Sequence, residues 1–557
     1  MVERSQRFRR SILRSLGFAL FLLSCAQARR EPEPGVMVIT EEEQTAAFVR
    51  NFNPLLEVGD VRWPTKRAMY EPLLVYNIVT GEYVPWLGEH WHWNDDATEL
   101  EFVLREGVKW SDGQRFGAED VAFTFNLMRK SAALDPRGIW GYLAAVEAPD
   151  AQHVKFRFQR AYVPGLIDIG QQPIVPAHLW KDVEDPVSFA NENPVATGPF
   201  TEVRSFNTQV YEIGRNPHYW QAGKPAVKAL RFPAFPSNDQ TVLSLMTGEI
   251  DWAGAFVPAI DRIYIERNPK NHHYWFPTVD GTVMLFANTA LAPFDDMRVR
   301  KALSMAIDRA LVVRVAMHGY TKPADATGLS GAYDRFRDPE AVAAGKPWVS
   351  YDPEAAAALL EEAGLRIDED GRRLGRDGEP LEVAINVPAG FSDWVRATQV
   401  ISKNLQALGI DARIKAYDFS AWYNKIQNGD FSLSLGWTVV SPTPYGFYRD
   451  MMSTSTWKPL GDPALSNWHR FKLERADILL ATAEHVTDPE QQRRLYGELQ
   501  RLFVEHAPAI PLFPGALWGE YNDERFVGFP DADNPYAPLG PNLVPGALLV
   551  VTELRPR

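Results

Sequence analysis

The sequence predicts a mixed α/β protein folded into at least two lobes. Its 557 residues exceed what a single hydrophobic core usually organises. Strand-like and helix-like patterns alternate along the chain instead of segregating into separate runs. "LEVAINVP", a helical stretch from Trp394 to Leu408 and "IDARIKAY" form a β-α-β unit, the element from which parallel or mixed sheets are built. Such sheets leave a crevice at their strand ends.

The folded part is expected to begin near Val36 with the strand "VMVIT", after the polar, proline-bearing spacer "REPEPG". The alternation in "LEFVLREGVKW" reads as a strand running into the turn "SDG", and "AEDVAFTFNLMRK" carries apolar residues at helical spacing. "HVKFRFQ" is another alternating strand, and "YEIGRNPHYW" ends a strand in a proline turn. In "DQTVLSLMTGEIDWAG" a helix is stopped by Gly248 and followed by a short strand. Asp296 to Ala316 reads as one long amphipathic helix, and Asp352 to Ala363 as a second with Asp and Pro at its start. Glu490 to His506 is helical, and "PAIPLF" returns as a proline-flanked strand. No repeat of fixed period is present, which disfavours solenoids and propellers.

Composition narrows the function classes. The formal charge of −13 opposes a nucleic-acid partner, which requires clustered Lys and Arg to displace counterions. Aromatic residues make up 12% of the chain, with 17 Trp, so their placement carries more information than their number. They crowd "GWTVVSPTPYGFYRDMM", which reads as a non-helical, proline-stiffened loop after the strand-like run "FSLSLGW".

The N-terminus has the layout of an export signal: five arginines before "LGFALFLLS", then Ser24 and Cys25. The apolar run is too short to span a membrane, as is every other segment. "LLSC" resembles the lipobox of bacterial lipoproteins, which implies lipidation of Cys25, the only cysteine. Removing residues 1–24, with five Arg and one Glu, takes the charge from −13 to −17. The expectation is an acidic body tethered to a membrane surface, on the periplasmic or extracytoplasmic side.

"LREGVKWSDGQRFGAEDVAFTF", "NPVATGPF", "RNPHYW", "LMTGEID", "NTALAPFDDMRVRKALSMAIDR" and "PAIPLF" resemble, in order, the landmarks of the family 5 extracellular solute-binding proteins. These are the nickel-, peptide- and oligosaccharide-binding components of ABC importers. The resemblance implies a two-lobed clamp like the type II periplasmic binding proteins, with an extra subdomain inserted in the first lobe. Beyond the signal peptide at 1–24 and the tether at 25–35 read from the N-terminus, it implies a first lobe from 36–68, 195–288 and 508–557, an inserted subdomain at 69–194 and a second lobe at 289–507. Crossings fall near Asn288 and Ala507. It also implies a monomer that delivers its load to a separate permease.

In the family's peptide binders an Asp three residues after the strand-ending Trp pairs with the ligand's ammonium; here Trp437 is followed at that offset by Val440. Valine makes no charge-assisted hydrogen bond, and an unpaired ammonium in a closed cleft costs several kcal/mol. The stretch "GW…PTPY…FY" resembles the oligosaccharide-binding branch instead. Sugar rings call for aromatic platforms with amide and carboxylate partners. The candidates are Trp437, Tyr445, Trp63, Tyr70, Trp252 and Trp422 for stacking and Asn53, Asn238 and Asp239 for hydroxyls, Trp437 foremost. An oligopeptide carrier is the alternative. No cofactor is expected, and His90, His92, His272 and His273 lack ligand-cluster spacing for a metal. No nucleophile elbow, zinc-hydrolase motif or phosphate loop is present. A secreted glycosidase needs only two facing carboxylates, and the full-length resemblance disfavours it.

Overall fold

The computed structural model describes residues 33–40, 45–56 and 61–557; Cys25, the export signal and most of the tether lie outside them. The first lobe starts from Val36–Val38, which pairs in parallel with Ala229–Pro233 and extends through Val210–Arg215 to Phe200–Phe206. A smaller sheet places Glu520–Asn522 between Trp252–Ala253 and His272–Tyr274, so the C-terminal segment returns to this lobe. Between them, residues 74–158 pair among themselves: a hairpin of Leu74–Asn77 with Glu82–Pro85, and an antiparallel four-stranded sheet from Gly88–Trp93 to Leu143–Glu147.

The second lobe is built on a five-stranded mixed sheet. Glu382–Pro388 lies parallel to both Asp411–Tyr417 and Leu433–Gly436, Thr282–Ala287 runs antiparallel beside Leu433–Gly436, and Ile510–Pro514 pairs antiparallel with Thr282–Ala287 and so runs in the direction of the parallel strands. The β-α-β unit is therefore present, with Ser392–Gln406 as its helix. The strands Thr282–Ala287 and Ile510–Pro514 belong to this sheet, so it reaches further along the chain in both directions than crossings near Asn288 and Ala507 implied.

Two local expectations are corrected. The helix expected from Asp296 to Ala316 is two helices, Met297–Ala306 and Arg309–Val315, because Ile307 is extended and the Asp308 carboxylate caps the second by accepting from Leu311 N–H at 2.8 Å. The aromatic stretch after Trp437 is partly helical: Tyr445–Met452 is an α-helix that begins just after Pro444. Proline ahead of a helix start costs no intrahelical hydrogen bond. Tyr445, Phe447, Tyr448, Met451 and Met452 face inward from this helix, so its rings serve packing.

Candidate functional site

All strands of the second-lobe sheet bring residues to one edge. The parallel strands end at Pro388, Tyr417 and Gly436, and the residues that follow each are Phe391, Asp393 and Trp394, then Phe419 and Tyr423, then Trp437 to Val440. The one antiparallel strand adds Asp280 and Gly281 ahead of Thr282, and Ile510–Pro514, which runs with the parallel strands, adds Gly515 and Ala516 after Pro514. Ligands of open α/β sheets lie beyond strand carboxyl ends, and here these residues wall a cavity of about 420 Å³. The opposite wall comes from the first lobe, including Trp63, Arg67, Asn238, Phe256, Trp518 and Asn542, with Tyr76 and Gln171 from the region between.

The second-lobe wall is aromatic. The Trp437 ring is nearly parallel to those of Tyr423 and Phe419, at 10° and 3°, with centroids 6.0 and 6.3 Å away. Trp422, Trp468 and Trp394 hold it in place from 5.2, 5.5 and 6.2 Å. Trp437 itself is only partly buried.

Polar groups are few. Asp393, buried in the first turn of its helix, is pushed up to about 6 by burial, and Asn238 donates to it at 3.3 Å. Asp280 is also raised by burial to about 6. Arg67 donates to the Asn542 carbonyl at 2.8 Å and lies over the Trp63 ring. The Trp63 indole N–H and the Asn542 side-chain oxygen are buried without a hydrogen-bond partner, so the first-lobe wall holds one unused donor and one unused acceptor.

Among the described residues the lobes touch at several places, one of them the Tyr320 hydroxyl, which donates to the Val257 carbonyl at 3.0 Å and accepts from Ile260 N–H at 2.8 Å. The Asn238 amide N–H donates to the Gly390 carbonyl at 3.2 Å, beside its side-chain bond to Asp393. Elsewhere Arg160 reaches the Glu484 carboxylate at 2.7 Å and Val163 N–H donates to the Glu484 carbonyl at 2.9 Å.

Of the nine ligand candidates read from the sequence, Trp437, Trp63 and Asn238 line the cavity and six do not. Tyr70 is fully buried and its hydroxyl accepts from Asn191 at 2.7 Å. The Asn53 amide donates to the Pro186 and Phe189 carbonyls and its oxygen accepts from Leu55 N–H, which makes it a turn-former. Asp239 is exposed on the first turn of its helix. The Trp252 indole donates to the Leu539 carbonyl and that of Trp422 to Ser434. Tyr445 donates to Glu484 at 2.9 Å. Buried rings with a polar handle find internal partners, and these four have done so. Sequence reading missed Phe419, Tyr423, Asp393 and Asp280; the position of the first three just beyond strand ends is the signal that marks them.

The model of family 5 of the bacterial extracellular solute-binding proteins matches residues 82–459. The chain belongs to this family. Its fold is that of the type II periplasmic binding proteins and its role that of the substrate-binding protein of an ABC importer, on the extracytoplasmic side of the membrane. Among relatives, the nickel-binding periplasmic protein of Escherichia coli K12 is 27% identical over 550 residues, 95% of this chain and 97% of the relative. The dipeptide-binding protein of the same strain is 24% identical over 490 residues, 82% and 86% of the two chains. The Thermotoga maritima periplasmic oligopeptide-binding protein, solved with mannohexaose bound, superposes with a TM-score of 0.86 at 25% identity, covering 94% of this chain and 99% of that one.

Proposed function

We propose that the protein captures an oligosaccharide, of β-linked gluco or xylo type or a related one, in the interlobe cavity and delivers it unaltered to a membrane permease. The observation that carries this reading is the set of near-parallel rings, Phe419, Tyr423 and Trp437, facing the cavity. The apolar face of a sugar ring stacks on such a surface while hydroxyls turn to a few amide and carboxylate groups. The unused Trp63 donor and Asn542 acceptor suit hydroxyls, which both give and take hydrogen bonds. The mannohexaose carried by the Thermotoga maritima relative supports the same reading.

An oligopeptide is the second reading, favoured by the dipeptide- and glutathione-binding relatives and by the cavity carboxyls of Asp280 and Asp393. Thermal-shift screening of the mature protein against cello-, xylo- and laminari-oligosaccharides and against di- and oligopeptides separates the two. Stabilisation by a sugar and not by peptides is expected; the reverse overturns the sugar reading.

The protein works as a monomer held to the membrane through a lipid on Cys25. Metabolic labelling with a radioactive fatty acid should mark the wild type and not Cys25→Ser. Equal labelling would remove the anchor from the account.

A further inference from the structure

The register of the second-lobe sheet places a carboxylate against the Trp437 segment. Met284 faces Gly436 and Ala287 faces Leu433 in an antiparallel pair. Carried onward, the same register sets Thr282 opposite Thr438, where the Thr438 hydroxyl donates to the Thr282 carbonyl at 3.2 Å. Just beyond the ladder, Asp280 at a bend and Val440 both line the cavity. Val440 contributes only an apolar surface, so Asp280 is the ionisable group at this end of the two segments.

The backbone around Asp280 is tight and the space beside it is kept small-sided. A Cβ on Gly281 would fall 1.6 Å from the Thr438 carbonyl oxygen, and one on Gly515 would fall 3.2 Å from the Asp280 Cβ. Glycine at both positions lets the two strands close up and leaves the carboxyl room toward the cavity. The adjacent Gly281 N–H donates to it at 2.7 Å, and among the described residues no Lys, Arg or His forms an ion pair with it. The other charged groups of the cavity are already engaged: Asp393 by Asn238, and Arg67 by the Asn542 carbonyl and the Trp63 ring.

A carboxylate held in a closing cleft with one backbone donor still has most of its acceptor sites open. Enclosure without a partner costs free energy that a ligand's donors recover. The geometry points to Asp280 as the polar anchor of the solute site, taking a pair of hydrogen-bond donors from the ligand beside the ring stacked on Trp437. Two sources offer that chemistry: adjacent hydroxyls of a sugar, or an ammonium. The inference rests on the interlobe cavity being the solute site, and it favours the sugar hydroxyls because the carboxylate lies next to the ring wall.

The test is isothermal titration of the mature protein and its Asp280→Asn and Asp280→Ala variants with mannohexaose, and in a second arm with trialanine and N-acetyl-trialanine. Both variants should bind mannohexaose at least tenfold more weakly. Their ligand-free melting temperatures should equal or exceed that of the wild type, because removing an uncompensated charge does not weaken the fold. A merely structural role would lower the melting temperature of Asp280→Ala and leave the affinity of Asp280→Asn unchanged. If the wild type binds mannohexaose and the variants match it, the assignment of Asp280 falls while the oligosaccharide reading stands. If instead trialanine binds, and both acetylation and the Asp280 variants weaken it, the assignment stands and the oligosaccharide reading falls.

Discussion

Arg160 and Glu484, 324 residues apart in the chain, are joined by two hydrogen bonds of 2.7 and 3.1 Å to one carboxylate oxygen, while Tyr445 donates to the other at 2.9 Å. The carboxylate is buried and the guanidinium half exposed. This contact ties the region preceding residue 195 to the second lobe, and closure around a ligand draws on such contacts. Losing a buried charge partner costs about 2–5 kcal/mol, reduced here because Arg160 returns to water when released. Glu484→Ala should therefore weaken solute binding about tenfold and raise the ligand-free radius of gyration in small-angle scattering. An unchanged radius with unchanged affinity would show that the contact does not hold the lobes.

Trp437→Ala removes the ring that faces the cavity and leaves its supports, Trp422, Trp468 and Trp394, in place. A central aromatic anchor contributes about 2 kcal/mol or more to binding, so calorimetry should find affinity reduced about 30-fold or further. Trp437→Phe should recover part of it. Because Trp437 is partly buried, the melting temperature should fall less than for Trp422→Ala, whose ring is fully enclosed.

Gly281→Ala places a methyl group into the Thr438 carbonyl. Backbone cannot swing aside as a flexible side chain can, and overpacking of this kind costs about 1–3 kcal/mol. Denaturant titration should show that loss, accompanied by weaker solute binding because the strands carrying Asp280 and Trp437 are forced apart. A variant with wild-type stability would contradict the close approach.

His469 sets an acid limit on stability. Its ring is fully buried, hydrogen-bonded through Nε2 to the Met451 carbonyl at 2.9 Å and stacked on Phe286. Burial pulls its pKa from 6.5 down to about 3. The unfolded chain therefore takes up the proton first as pH falls. The stabilisation is complete above about pH 6.5 and is lost progressively toward pH 3. His469→Gln should start less stable at pH 7.5 and lose less between pH 6.5 and 4.5. Parallel melting-temperature profiles for the two proteins would refute this.

The fold was legible where hydrophobic periodicity agreed with end signals. The β-α-β unit and the helix Pro353–Glu362, capped by Asp352 through Ala355 N–H at 2.9 Å, follow directly from pattern. Periodicity could not locate the break at Ile307, since both helices continue one apolar stripe and only the Asp308 cap divides them. Nor could it show that Tyr445–Met452 is helical, because the prolines ahead of it mark a helix start as well as a loop. In the site, Trp437 was legible from its place at a strand end. Tyr70, Trp252, Trp422 and Tyr445 looked equally suitable as rings, and only their internal hydrogen bonds separate them from the cavity wall. Asp280 needed cross-strand register, which no local pattern carries.

An oligosaccharide stacked on Trp437 between the lobes alters the surroundings of that indole, so titration followed by intrinsic tryptophan fluorescence reads its binding. A gluco-, xylo- or manno-oligosaccharide of several residues should give a saturable, one-to-one change that is lost in Trp437→Ala, and oligopeptides should give none. Saturable one-to-one change with an oligopeptide, and none with any sugar of the panel, would contradict it.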